Sequence, residues 1–266
     1  MFGIITLTTD FGYKDEAVAS MKGVILSINP QVRIVDISHG IPPFNIGEGA
    51  WVMMRSLKYF PPAIHVGVVD PGVGSSRRAI VIETANTSLL VGPDNGLLLP
   101  PANELGGIKR VYEIENPDLM LHPVSISFHG RDIFSPVAAH LSRGIKIGEV
   151  GPPIKVESLV PPPWSPPEIR ENLIRGQIIH IDHFGNLYTN IPIEKVREVG
   201  SVFEITLGDR CETAKLVKTF SSVSRGTLAL KDDAYGYLEI SVNLGSAKEM
   251  FSAETLQIFS LKPLHQ

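Results

Sequence analysis

The sequence predicts an α/β domain with a central, largely parallel sheet, followed by a smaller all-β, barrel-like domain. Three observations carry that expectation. In the first 160 residues, β-rich runs alternate with segments of helical spacing; a proline-rich break follows; beyond it, short β-like runs succeed one another with turn residues between them. Strand and helix in alternation give a parallel sheet covered by helices, whereas many short strands in series give a barrel or sandwich.

The elements follow in chain order. Residues 4–8 and 32–37 are β-rich, and 15–28 between them places apolar residues at helical spacing with Pro30 just past the end. Residues 47–59 form a second helical pattern, stopped by Pro61-Pro62; 64–69 and 79–83 are short strands, and 132–142 is a further helix closed by Gly144. Five prolines stand in the seven residues 161–167. Proline's ring and missing donor keep such a run out of helix interiors and central strands and make it a stiff, extended spacer. The expected organisation is therefore an α/β domain over 1–160, a linker over 161–171 and a β domain over 172–266. In the last of these, 177–182, 202–207, 214–218, 227–230, 236–242 and 256–261 read as strands, and only 193–199 as helix.

Composition narrows the function classes. The chain has 266 residues, 43% apolar and 20% charged, with a net charge of −4 and no basic stripe, which excludes a typical nucleic-acid surface. Its single cysteine, Cys211, excludes an internal disulfide and a cysteine-rich zinc site. The N-terminus lacks a charged leader and long apolar core, and no apolar run approaches the ~20 residues that span a bilayer. A cytoplasmic protein with no membrane partner is expected, in which Asn86-Thr87-Ser88 is a chance sequon.

Polar residues gather where strands end, and ligands of open α/β sheets bind beyond those carboxyl ends. The first strand runs into Thr9-Asp10-Phe11-Gly12 with Asp15 beyond, the second into Asp36-Ile37-Ser38-His39, and the third into Val69-Asp70-Pro71-Gly72-Val73-Gly74; Phe128-His129-Gly130-Arg131-Asp132 opens a helix. Each piece has a plainer explanation. Asp10 and Asp70-Pro71-Gly72 suit turns, Asp15 and Asp132 suit helix caps, Asp36 and His39 suit loop hydrogen bonds, and a lone His129 suits a packed structural role. Neither a Gly-x-Gly-x-x-Gly turn after the first strand nor a Walker loop is present. The acids and histidines also admit a hard or borderline cation, although no tight ligand pair appears among them.

In order along the chain, these strings, together with Arg77-Arg78, Gly92-Pro93-Asp94-Asn95-Gly96 and Asp182-His183-Phe184-Gly185-Asn186, resemble the S-adenosylmethionine hydroxide adenosyltransferases, adenosine-forming relatives of fluorinase and chlorinase. The resemblance spans nearly the whole chain. It implies hydrolysis of S-adenosyl-L-methionine to adenosine and L-methionine without a cofactor or metal. It also implies a homotrimer whose sites lie between the N-terminal domain of one subunit and the C-terminal domain of the next. Asp70, Arg77 and His129 map to the water-holding set. Asp10 maps to the ribose diol, Asp15 and Asp182 to the methionine amino group, and Phe44 to the sugar or adenine. Phe184 and Asn186 map to the adenine, and Tyr235, Glu239 and Val242 lie in the stretch that completes that pocket. Ala17 and Tyr235 depart from fluorinase, which has polar methionine contacts there, and no candidate for fluorinase's extra N-terminal loop is found. A non-catalytic adenosine sensor and a halide adenosyltransferase are the alternatives, and a carboxylate at position 70 opposes an anionic nucleophile.

The implied chemistry suits these residue types. A sulfonium leaving group departs as a neutral thioether and needs no acid, so the site has only to supply and aim water at the ribose C5′. Asp70 can take the water's proton, while Arg77 stays protonated and can only position or stabilise. His129 can hold the water or relay its proton, according to its tautomer.

Overall fold

A computed structural model describes residues 2–264. The chain divides into two compact units, Met1–Pro163 and Trp164–Gln266.

In the first unit, β1 (Ile4–Thr9), α1 (Ala17–Ile28), β2 (Arg33–Ser38), α2 (Ile46–Ser56), β3 (Ile64–Val68), β4 (Ala79–Thr84), β5 (Leu89–Pro93), α3 (Leu99–Glu104), β6 (Ile108–Glu113) and α4 (Ser135–Ser142) follow in order. The six strands form one sheet in the order β2-β1-β3-β5-β4-β6. The β2-β1-β3-β5 part is parallel, and β4 runs antiparallel to both β5 and β6. On one face Ile5, Leu7, Val66 and Val91 pack with Met21 and Ile25 of α1 and Val137 and Leu141 of α4, all buried. A buried leucine such as Leu7 truncated to alanine costs about 2–5 kcal/mol, the loss of burial plus the cavity left behind. α2 covers the other face, with Met53 against Gly67 of β3.

This order has a functional consequence. The chain leaves β1 for β2 on one side and returns past β1 to β3 on the other. The switch point of the sheet therefore lies at the carboxyl ends of β1 and β3, where a crevice opens. Asp10 and Asp70 follow those two ends.

In the second unit β7 (Glu168–Arg170), β8 (Leu173–Ile181), β9 (Leu187–Pro192), α5 (Ile193–Val199), β10 (Val202–Leu207), β11 (Arg210–Leu216), β12 (Leu228–Asp232), β13 (Tyr237–Val242), α6 (Ala247–Phe251) and β14 (Ile258–Pro263) follow. Strand order is β14-β10-β11-β12-β13-β9-β8-β7, and a further pairing of β14 with β8 closes seven of the strands into a barrel. Alternate residues point inward, so Phe203, Ile205 and Leu207 of β10 meet Ile174, Ile178, Phe259 and Leu261 in the barrel core.

Several elements differ from the sequence expectation. The helix expected over 132–142 starts as a π-helical turn, Gly130–Phe134, and becomes α only at Ser135. A second helix, α6, stands in the barrel unit beside α5, capped by Ser246 accepting from the Glu249 amide. The first unit continues to Pro163, and β7 occupies part of the segment read as linker.

Candidate active site

The loop from β3 to β4 carries Asp70 at one end and Arg77 at the other. Arg77 Nε lies 3.1 Å and 3.0 Å from the two Asp70 oxygens, and Nη2 lies 2.5 Å from Oδ2. The Asp70 and Arg77 side chains are only 5% and 10% exposed respectively, so this fork-shaped pair is shielded from solvent. The turn that brings them together is built by short contacts: Ser75 Oγ donates to the Gly72 carbonyl and accepts the Arg77 amide. Gly74, at φ +78°, leaves room for Ile126, since a Cβ there would stand 2.8 Å from the Ile126 carbonyl oxygen.

Arg77 Nη2 also lies 2.7 Å from His129 Nδ1. A guanidinium can only donate, so Nδ1 is an acceptor and the ring proton sits on Nε2. Burial and the Arg77 charge both hold His129 below the ordinary histidine value, against the opposite pull of Asp70 and Asp132. His129 is thus neutral at pH 7, with one N–H to offer. It stands immediately before the π turn, a geometry that often marks functional positions in helices. Asp132 stabilises that turn by accepting the Ser125 amide and both arms of Arg131, while the Phe134 ring lies 5.3 Å beneath the Arg77 guanidinium.

Asp10, Phe44, Asp70 and His129 line one cavity of ≈ 270 Å³, together with Phe11, Pro43, Val68, Val73, Ser127, Phe128 and Gly130. Asp10 Oδ2 accepts the Phe44 amide at 2.9 Å, which orients the carboxylate, and Phe44 has φ 67° with its ring exposed. The turn after Asp10 is pinned from below. Thr9 Oγ1 bonds His39 Nδ1 at 2.7 Å, Phe11 N–H donates to Thr9 Oγ1, and Gly12 N–H donates to the His39 carbonyl. His39 Nε2 in turn lies 3.2 Å from Asp36, which also accepts from Lys22 and Tyr13. Asp36 and His39 therefore hold the loop together.

Asp15 is exposed and does not join this group; α1 begins at Ala17, its N-cap position is Glu16, and no side chain caps it. Phe11 and Phe128, in edge-to-face contact at 5.9 Å, are lining residues that the sequence reading quoted in motifs without giving them a role. The available signal was Phe11 beside Asp10 at the end of β1 and Phe128 beside His129 at a helix start. Among the described residues, no group of three or more His, Cys, Asp or Glu side chains is placed to hold a metal ion.

The barrel unit has its own concavity. Phe184, Asn186 and Val242 line a cavity of ≈ 600 Å³ with Phe220, Arg225, Asn243, Leu244 and Gly245. The β8–β9 hairpin that carries Phe184 is organised by Asp182: Oδ1 accepts the Phe184 and Asn186 amides, and Oδ2 accepts Asn186 Nδ2 and the Tyr188 hydroxyl. Burial, with the negative charges of Glu239 and Asp182, pushes the Tyr188 phenol up, so it remains a donor. Glu239 is buried on β13, paired with Lys231 at 2.6 Å and accepting from Ser241. Tyr235 is half-buried in the turn before β13, its amide donating to Asp233. Neither Tyr235 nor Glu239 lines the cavity.

Fold and site together define a two-unit protein: an α/β sheet with an acid-lined crevice at its switch point, and a closed β-barrel. Residues 5–151 match the SAM hydroxide adenosyltransferase N-terminal domain and residues 176–258 the corresponding C-terminal domain, and the chain belongs to that family. It is 39% identical over 251 residues to a protein of Salinispora tropica named (R)-S-adenosyl-L-methionine hydrolase, covering 92% of each chain. It is 36% identical to one of the same name from Methanocaldococcus jannaschii, covering 95% of this chain and 93% of the other. A fluorinase of an Actinoplanes species is more distant, at 28% identity. Among solved structures, an uncharacterized conserved protein from Thermotoga maritima has a TM-score of 0.88 at 37% identity, covering 97% of this chain and 99% of that one. Among the described residues no helix is long and apolar enough to cross a membrane.

Proposed function

We propose that this chain hydrolyses S-adenosyl-L-methionine to adenosine and L-methionine by attack of an activated water on the ribose C5′. The observation that carries the reading is the Asp70–Arg77–His129 cluster, whose Asp70 and His129 line one crevice with Asp10, in a chain whose relatives bear the hydrolase name.

The roles follow from donor and acceptor capacity. His129 offers Nε2–H to the water oxygen and, being neutral with Nδ1 committed to Arg77, acts as a holder rather than the first proton acceptor. Asp70 Oδ1 carries one contact from Arg77 and keeps lone-pair capacity, so it accepts a water hydrogen. The water oxygen bonds to C5′, the C5′–S bond breaks with its electron pair going to sulfur as neutral thioether, and the proton passes to Asp70 and on to solvent. Arg77 keeps Asp70 aimed through its paired contacts. Asp10 takes the two ribose hydroxyls, and Phe44 lies at the sugar or adenine. Asp15 takes the methionine amino group; Asp182 supports that end through its hairpin. Phe184, Asn186 and the 235–243 stretch, with Tyr235, Glu239 and Val242, take the adenine.

The reading includes a homotrimer, with the barrel residues supplied by a neighbouring subunit; the family resemblance supports it. It also includes a cytoplasmic setting, which the lone cysteine supports, and no cofactor, because the leaving group needs neither protonation nor Lewis acid. Incubation with S-adenosylmethionine in ¹⁸O-water should give methionine and adenosine labelled at the 5′-hydroxyl. No adenosine from a folded sample overturns the reading, and a chloride-dependent 5′-chloronucleoside replaces it with halide transfer. Light scattering should give a trimer mass. Mixing inactive Asp70→Ala subunits with Phe184→Ala subunits, at S-adenosylmethionine too dilute for Phe184→Ala to turn over well, should raise the rate above that of either variant alone, because some mixed trimers then contain an intact site; no gain after proven subunit exchange argues for sites within one subunit.

A further inference from the structure

One motif of the chain, Gly92-Pro93-Asp94-Asn95-Gly96, has no part in the chemistry so far. The strand order explains where it sits. β5 lies between β3 and β4 in the sheet, parallel to β3 and antiparallel to β4. The loop from β3 to β4, which carries Asp70 and Arg77, must therefore pass over the carboxyl end of β5, and that end is Asp94-Asn95.

Both residues grip the loop's ends. Asn95 Nδ2 donates to the carbonyl of Val69, the residue before Asp70, at 2.9 Å, while its Oδ1 accepts the Leu97 amide at 3.2 Å. The amide is thus fully oriented, donor toward the loop and acceptor toward its own turn. Asp94, a nearly buried carboxylate, accepts Nε and Nη2 of Arg78, the residue after Arg77, at 3.0 and 2.5 Å. Its other oxygen accepts the Val160 amide, and its backbone N–H donates to the Arg78 carbonyl, both at 2.9 Å. Arg78 is further tied to Ser158. The loop between these anchors is rich in glycine and serine and is otherwise closed by the Asp70–Arg77 pair and the Ser75 contacts.

We propose that Asp94 and Asn95 are positioning residues for the reaction: consecutive side chains on β5's carboxyl end hold the positions flanking Asp70 and Arg77, so that Arg77 reaches Asp70 and His129 together. The proposal rests on the assignment of those three residues as the water-holding set. Displacement of reacting groups by about 1 Å costs on the order of 10²-fold in rate, and the anchors act at that scale while touching no substrate.

Asn95→Asp tests it. That variant keeps the acceptor for the Leu97 amide and sets a carboxylate oxygen against the Val69 carbonyl, so only the grip on the loop is lost. Turnover number should fall by about 10- to 100-fold with adenosine affinity and KM nearly unchanged. The groups facing His129 are Arg77, Asp70 and Asp132. As Arg77 withdraws, the His129 imidazole titration, followed by NMR and assigned with His129→Gln, should move up toward the ordinary histidine value. A purely structural role would lower the melting temperature and leave turnover below it, and the titration, as in the wild type; that result overturns the proposal. If the wild type itself forms no adenosine, the hydrolase assignment fails, and the His129 titration alone decides the positioning. Asp94→Asn, of equal size, is judged by the same two readouts should Asn95→Asp not fold.

Discussion

The crevice of the sheet and the cavity of the barrel use carboxylates in opposite ways. In the crevice, Asp70 is held by a neighbouring charge, Arg77, which also reaches His129, and the three form one shielded network. In the barrel, Asp182 accepts four hydrogen bonds from its own hairpin, and the group presented outward is the Phe184 ring, 74% exposed. One region is organised to aim polar atoms, the other to present a flat apolar face on a stiff turn. Charge and tautomer should therefore decide rate in the first region, whereas surface contact should decide affinity in the second.

The sharpest way to break that division is Asp70→Asn. It removes the proton acceptor and should lower turnover by about 10²–10⁴-fold, with adenosine affinity measured by calorimetry nearly unchanged; equal losses of both would give Asp70 a structural role instead. Next comes pH. His129 is held low, so protonation sets in only below the ordinary histidine value and then places a cation against Arg77. Turnover should be level above pH 6.5 and fall as pH drops through that lowered pKa, while adenosine binding to the Asp70→Asn protein stays level over the same range. A third test addresses the barrel: Phe184→Ala should weaken adenosine by about 1–3 kcal/mol, as expected for an aromatic–base stack, with no change in melting temperature because the ring is exposed. The smallest effect is expected for Asp182→Asn, which weakens the hairpin bonds and should cost about 1 kcal/mol in urea unfolding. If Asp182 instead faces the methionine ammonium, KM for S-adenosylmethionine rises while adenosine affinity does not. Dialysis against a chelator should leave turnover unchanged.

Much of this was legible in local pattern. β1, α1, β2 and β3 follow from apolar spacing and from Pro30 and Pro61 as stops, and β10 and α5 were bounded to the residue. α6 carried a readable sign, Ser246 three residues before Glu249, which is a capping signature. α3, which carries Pro100-Pro101 in its first turn where proline is tolerated, was not among the elements expected from the sequence. The closure of β14 on β8 joins residues some eighty positions apart and leaves no local trace. At the site, the motif order pointed to Asp70, Arg77 and His129, but the tautomer of His129 depends on where Arg77 lies in space. So does the work of Asp94 and Asn95, which exists only because β5 inserts between β3 and β4.

The closed barrel also sets an order of events during synthesis. The sheet of the first unit pairs strands drawn from residues 4–113, so its core can assemble while the barrel is still being made. The barrel has no such freedom: β8, among its first strands, waits for β14, among its last. Contacts this distant in sequence are slow to form. Until β14 arrives, β8 and β10 each expose a row of unpaired amides and carbonyls, and a nascent neighbour offers the same rows. The interval before closure is therefore the time at which this chain is most exposed to strand exchange with another copy of itself.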